Sequence, residues 1–224
     1  MLDILVVTAH PDDESRVTGI MLKAKKAGKT VGLVCHTRGE AGGFAAMQTR
    51  IDELKNYAEF MQLDYFKHLD YPDAGLEYNK PLVENLANIF RSVKPQIVLT
   101  PHWDDYHPDH VAICKTVDNA VFVGGLKREG DEGTWHPKQV LYFGLDDMTN
   151  ARRPDIIYNI SDVIEEKQIA CNFHASQGIG SYVEPDGKRL GSMGGFKYGE
   201  ALYIRQPLRL DDIESIFNNN KIGK

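Results

Sequence analysis

At 224 residues, with 42% hydrophobic and 26% charged side chains, the chain has the size and composition of one soluble α/β domain with a substantial core. Its 26 Lys+Arg against 32 Asp+Glu leave a net charge of −6, which argues against a nucleic acid partner, because duplex binding needs a basic face. No apolar run approaches the roughly 18 residues of a membrane span, and three scattered cysteines (Cys35, Cys114, Cys171) without a CxxC suit the reduced thiols of a cytoplasmic protein.

Met1-Leu2-Asp3-Ile4 has no basic stretch before an apolar one, so no signal peptide is expected. Leu2–Thr8 (LDILVVT) is a continuous apolar, β-branched run, the pattern of a strand buried in a parallel sheet. Helical spacing follows from Asp13 to Ala27 through Val17, Ile20, Met21 and Ala24, with Gly28 as the stop. Val31–Thr37 reads as a second strand, and Thr49–Met61 as a helix with Ile51, Leu54, Ala58 and Met61 on one face. The alternation continues with a strand at Tyr65–Leu69, a helix at Leu82–Val93, a buried strand at Gln96–Thr100 and a helix from about Pro108 to Val123. Strands are expected at Val140–Gly144 and Ile156–Ile160, then a helix capped by Ser161-Asp162 and running to about Ala175. Such alternation predicts right-handed βαβ crossovers in a mostly parallel, three-layer α/β sandwich, one domain over residues 1–224. Arg128–Lys138 and Gly178–Gly199, the latter with seven glycines, break the rhythm and read as surface loops, and Asn218–Asn220 as a frayed tail.

Two polar clusters stand at strand ends, where open α/β sheets bind ligands. One is His10-Pro11-Asp12-Asp13-Glu14 after the first strand; the other is His102–His110 (HWDDYHPDH) after Gln96–Thr100. Adjacent carboxylates repel unless a cation or a shared proton is present. His10, Asp13 and His110 can meet at one point, and two histidines with one carboxylate form a common catalytic zinc set with a place left for water. Zinc lowers the pKa of such a water to about 7. Asp12 then reads as the general base, His107 as an imidazolium that stabilises an oxyanion and protonates an amine, and Asp109 as the partner of His107. That chemistry is metal-assisted hydrolysis of a carbonyl compound, most simply an amide. Each motif alone could be a capped strand-to-helix turn; two together favour a metal site. A phosphoesterase would call for a second bridged metal, and a dinucleotide-binding module for GxGxxG where His10-Pro11-Asp12 stands.

Ala9–Glu14 (AHPDDE) and His107–His110 (HPDH) resemble the signatures of the PIG-L/LmbE-like de-N-acetylases. The resemblance also takes in Thr37-Arg38-Gly39-Glu40, Arg50-x-x-Glu53, Tyr71–Leu76 and His174-Ala175-Ser176-Gln177, nearly the full chain. It implies a Rossmann-like fold and one Zn2+ per chain on His10, Asp13 and His110, with Asp12 as base, His107 at the oxyanion and Asp109 beside it. The implied partner is a small-molecule acetamido sugar, with Arg50 and Asp73 in contact with it. The pattern is most similar to the branch that deacetylates N-acetylglucosaminyl-malate in bacillithiol synthesis, whose members are often hexamers, so a homo-oligomer is expected. Tyr106, counted with the substrate-facing residues, stands where malate-handling relatives tend to carry an Arg, and a lost guanidinium is a lost bidentate carboxylate partner. Another N-acetylglucosamine conjugate or a chitooligosaccharide is therefore the alternative substrate. Arg16 matches nothing in the family motif. Glu14 reads as an anion at a helix N-terminus, Cys35 and His36 as packing, and His68, His136 and His174 as residues without an assigned role. Of His102, Asp104 and Asp105, at most one is expected to reach the site.

Overall fold

The computed structural model describes residues 1–43, 46–127, 133–144 and 153–207. Five strands, β1 (Ile4–Thr8), β2 (Val31–Thr37), β3 (Tyr65–Tyr71), β4 (Ile97–Pro101) and β5 (Gln139–Phe143), form a sheet in the order β3-β2-β1-β4-β5. Every pairing in it is parallel, with Ile4 opposite Val31 on one side and Ile97 on the other. The pleat explains why β1 is apolar throughout. Val6 belongs to a core shared with α1 (Thr18–Lys26), α2 (Met47–Phe60) and α5 (Ile164–Cys171), while Leu5 and Val7 belong to a second core under α3 (Lys80–Val93) and α4 (Pro108–Gly125). The predicted three-layer α/β sandwich is the one observed.

Three differences from the sequence reading have physical causes. Gly178–Gly199 is not a loop: it holds α6 (Gly180–Gly194) and leads into β7 (Gly199–Leu202). Its glycines are close-approach residues, since a Cβ at Gly191 would lie 2.8 Å from the Phe196 carbonyl oxygen and one at Gly194 2.7 Å from Ile157 Cγ2. The strand β6 (Ile156–Asn159) does not join the parallel sheet but pairs antiparallel with β7, and this ribbon is tied to β5 by a Tyr142–Tyr203 bridge. Ser161-Asp162 does not cap α5, which starts at Ile164; the Ser161 hydroxyl donates to Asn159 and Asp162 pairs with Lys23. Residues 128–132 of the predicted Arg128–Lys138 loop and the predicted frayed tail lie outside the described residues.

The chain crosses from β3, at one edge, to β4, beside β1, so loops after β1 and β4 leave the sheet next to each other. This is the topological switch point where ligands of open α/β sheets bind. Among the described residues no helix is long and apolar enough to cross a membrane.

Candidate metal and catalytic site

The first loop is wrapped around a carboxylate. Asp13 Oδ2 accepts from the backbone N–H groups of Ala9 at 3.0 Å and His10 at 2.8 Å, which turns the chain sharply out of β1 into a 3₁₀ turn, Asp13–Val17. Asp13 Oδ1 is left facing outward. The second loop ends in a helix cap: His107 Nδ1 accepts from the Asp109 N–H at 3.2 Å, Pro108 takes the first helical position, and His110 follows within the first turn of α4.

The two loops bring donor atoms together. His10 Nδ1 lies 3.1 Å from His110 Nε2, Asp13 Oδ1 is 3.5 Å from His110 Nε2, and Asp13 Oδ2 is 3.7 Å from His10 Nδ1. Tetrahedral ligation with bonds of 2.0–2.2 Å needs donors about 3.3–3.6 Å apart, so this trio fits a small divalent ion. A nitrogen of His107 also falls within 4.8 Å of those of His10 and His110. Its Nδ1 is occupied by the Asp109 amide, however, and only Asp13 supplies the negative charge that offsets a buried cation. His10, Asp73 and Asp109 also converge, but they meet at the other nitrogen of the same His10 ring.

Carboxylates surround the two histidines. His10 Nε2 lies 2.9 Å from Asp73 Oδ1 and 3.2 Å from Asp109 Oδ2, and His110 Nδ1 lies 3.0 Å from Asp105 Oδ1, out of line for a hydrogen bond. Such partners orient metal-binding imidazoles. Burial opposes protonation of both rings, but the neighbouring carboxylates outweigh it, Asp13 first. They raise His10 to about 12 and His110 to about 9. Burial pushes the Asp73 carboxyl up, and the His10 contact more than reverses this, leaving it at about 2. The site therefore demands positive charge, from protons when empty and from a cation when filled.

Asp12 stands beside this cluster with φ 106° and ψ −20°. Arg50, almost wholly buried, reaches it with Nη2 at 3.1 Å; the same guanidinium donates to the carbonyls of Pro11 at 2.7 Å and Gly39 at 2.5 Å. Burial and the adjacent Asp13 raise the Asp12 carboxyl to about 7, against the pull of Arg50 and His174. Burial and the charges of His10 and His110 hold His107 below the usual imidazole range.

The placement of the other predicted residues is mixed. The Asp109 carboxylate does not meet the His107 ring: it accepts from the amides of Ala74 and Leu76 and contacts His10, while its backbone N–H serves His107. Arg50 and Asp73 are both within the site, but bonded to protein groups. Tyr106 is 64% exposed at the rim, its ring centroid 6.1 Å from that of His107. Asp105 is the flanking residue that reaches the cluster, whereas His102 stacks on Trp103. Sequence reasoning gave no role to the fully buried Glu14–His174 pair, bonded at 2.7 Å; the AHPDDE match contained one partner and the His174-Ala175-Ser176-Gln177 match the other.

The family model of GlcNAc-PI de-N-acetylases, PIG-L, matches residues 5–121, more than half of the chain and the segment that carries both loops. The chain belongs to this family. Among curated relatives, the diacetylchitobiose deacetylase of Thermococcus kodakarensis is 28% identical over 224 aligned positions, 89% of this chain and 81% of the relative. The "Probable N-acetyl-alpha-D-glucosaminyl L-malate deacetylase 2" of Bacillus cereus is also 28% identical, over 78% of this chain and 83% of its own. Among solved structures, a conserved protein from Thermus thermophilus shares the PIG-L-family fold with a TM-score of 0.85 at 27% identity, covering 94% of this chain and 97% of that one.

Proposed function

We propose that this chain is a zinc-dependent hydrolase that removes the acetyl group from an N-acetylglucosamine-type glycoside. The observation that carries the proposal is the meeting of His10 Nδ1, His110 Nε2 and the Asp13 carboxylate at separations of 3.1–3.7 Å, with Asp12 beside them. Two imidazoles and one carboxylate suit zinc and leave a coordination place open. A divalent ion there supplies Lewis-acid polarisation of a carbonyl and a lowered pKa for water.

The chain's own residues supply the rest. Asp12, poised near neutrality, takes the proton from the attacking water. His107 is held neutral with its proton on Nε2, because Nδ1 accepts from the Asp109 amide. That Nε2–H donates to the amide oxygen as negative charge develops on it. A neutral imidazole is a weak acid, so the proton collected by Asp12 is the one delivered to the leaving nitrogen. Water and the amide thus become acetate and a free amine. Asp105, Asp109 and Asp73 fix the two histidines, and Arg50 fixes Asp12 and the loop after β2.

For the aglycone, Tyr106 favours a neutral sugar over malate, since the exposed rim offers an aromatic face where a carboxylate would want a guanidinium. Acetate release from free N-acetylglucosamine, N-acetylglucosaminyl-malate, an inositol glycoside and N,N'-diacetylchitobiose tests the whole reading. Turnover of diacetylchitobiose is expected to exceed that of the malate glycoside. The reverse order reinstates malate, and no acetate from any of the four, with one zinc bound per chain, refutes the deacetylase assignment.

A further inference from the structure

The backbone of residue 12 is held from three sides. Its carbonyl accepts from the Ser15 N–H at 3.0 Å. Arg50 grips the preceding carbonyl and the Asp12 carboxylate at 2.7 and 3.1 Å. Its own N–H donates to Glu14 Oε2 at 3.1 Å. A residue with a Cβ enters φ 106° only where its surroundings enforce it, and such enforced conformations gather at reacting groups.

The third of these contacts depends on a distant part of the chain. Glu14 is fully buried, and its other oxygen, Oε1, accepts from His174 Nε2 at 2.7 Å. A carboxylate at that depth needs a donor, and His174 supplies it from the segment between α5 and α6. His174 is fixed in turn. Its ring centroid is 5.2 Å from that of Tyr57, whose hydroxyl bonds Thr18 Oγ1 at 2.8 Å, and the Thr18 hydroxyl donates to the Glu14 carbonyl at 3.0 Å. The rotamer of Glu14, and with it the acceptor for the Asp12 N–H, is set from α2 and from the turn after α5. With its Nε2 spent on Glu14, His174 has no part in the proton transfers themselves.

We propose that His174 is a positioning residue for the reaction: through Glu14 it holds residue 12 in the left-handed conformation and so aims the Asp12 carboxylate at the attacking water. This rests on Asp12 being the base, as assigned above.

His174→Gln can place an amide N–H at the same point, and it is expected to keep most of kcat. His174→Phe fills the space and keeps a ring against Tyr57 but cannot donate. Its kcat is expected to fall roughly 10- to 100-fold, the scale of a small misplacement of a reacting group, while KM and bound zinc per chain stay within about twofold. Because His174→Phe strands a buried carboxylate, Glu14→Met/His174→Phe is measured beside it, removing both polar partners together; the same kcat loss is expected. The assays use N,N'-diacetylchitobiose or N-acetylglucosaminyl-malate, whichever is turned over faster. A crystal structure of the double variant gives a readout free of turnover, in which residue 12 is expected to leave the left-handed region and its contact with Arg50 to open. The proposal is overturned if the folded double variant retains kcat within about threefold, or keeps residue 12 left-handed against Arg50. Asp12→Asn run in parallel separates the two levels. Parent-like turnover there removes the base assignment itself, whereas lost turnover in Asp12→Asn with an unaffected double variant overturns the role of His174 alone.

Discussion

Asp12→Asn keeps the side-chain shape, its tolerance for a left-handed backbone and an oxygen facing Arg50, and removes only the charge. Its effects on chemistry and on stability should have opposite signs. Loss of a general base costs at least about 10²-fold in kcat, with zinc retained because Asp12 is not among the three converging donors. For stability, the folded carboxyl is raised from 3.8 to about 7, so the ionised form is disfavoured by the fold. At 1.36 kcal/mol per unit, the difference above pH 7 is on the order of 4 kcal/mol. The sign follows from linkage: a carboxyl raised in the folded state weakens the fold as pH climbs from the unfolded pKa to the folded one. The metal-free variant should therefore melt about 8 °C or more above the metal-free parent at pH 8, and the gap should shrink to less than about half of that at pH 5. Calorimetry of the chelated proteins at pH 5, 6 and 8, with kcat after zinc is restored, checks both halves. A variant no more stable than the parent at pH 8, or a gap that does not narrow toward pH 5, refutes the electrostatic reasoning.

His110→Ala should lose zinc first and activity as a consequence, and metal analysis showing parent-like content would mean the ligand set is wrong. Zinc affinity of the parent should rise up to about tenfold per proton released for each pH unit between pH 6 and 9, because His110 at about 9 and His10 at about 12 hold protons that the ion must displace; a flat titration over that range would exclude it. Asp105→Ala should weaken zinc binding by about 10- to 100-fold while leaving the fold intact, read by competition with a chromophoric chelator. Gly191→Ala places a Cβ 2.8 Å from the backbone of Phe196 and Tyr198, which cannot swing aside, so urea denaturation should show a loss of about 2 kcal/mol or more.

What the sequence revealed is what local physics encodes. The run at Leu2–Thr8 names a buried parallel strand because both of its faces are covered, and the two motifs announce themselves because each directly follows such a strand. What it hid depends on how separate loops fold back. Arg50 reads as a helical cation free for a ligand, but the loop after β2 and the turn after β1 both present carbonyls to it, and its charge is consumed inside the protein. Asp73 and Asp109 likewise look available until the loop after β3 is seen to fold against His10. The glycines of Gly178–Gly199 suggested freedom, whereas at Gly191 and Gly194 they permit contact, a difference that only the packed partner decides.

Glu200, on β7, accepts from the first amides of α1, Gly19 at 2.7 Å and Ile20 at 2.8 Å, and is itself neutralised by Lys167 at 2.7 Å. The span recognised by the family model, residues 5–121, holds every atom that would touch an ion, yet the anion that finishes its first helix belongs to the far end of the chain. A protein engineer who transplanted only that span into another scaffold would carry over the ligands without the clasp that keeps them in register.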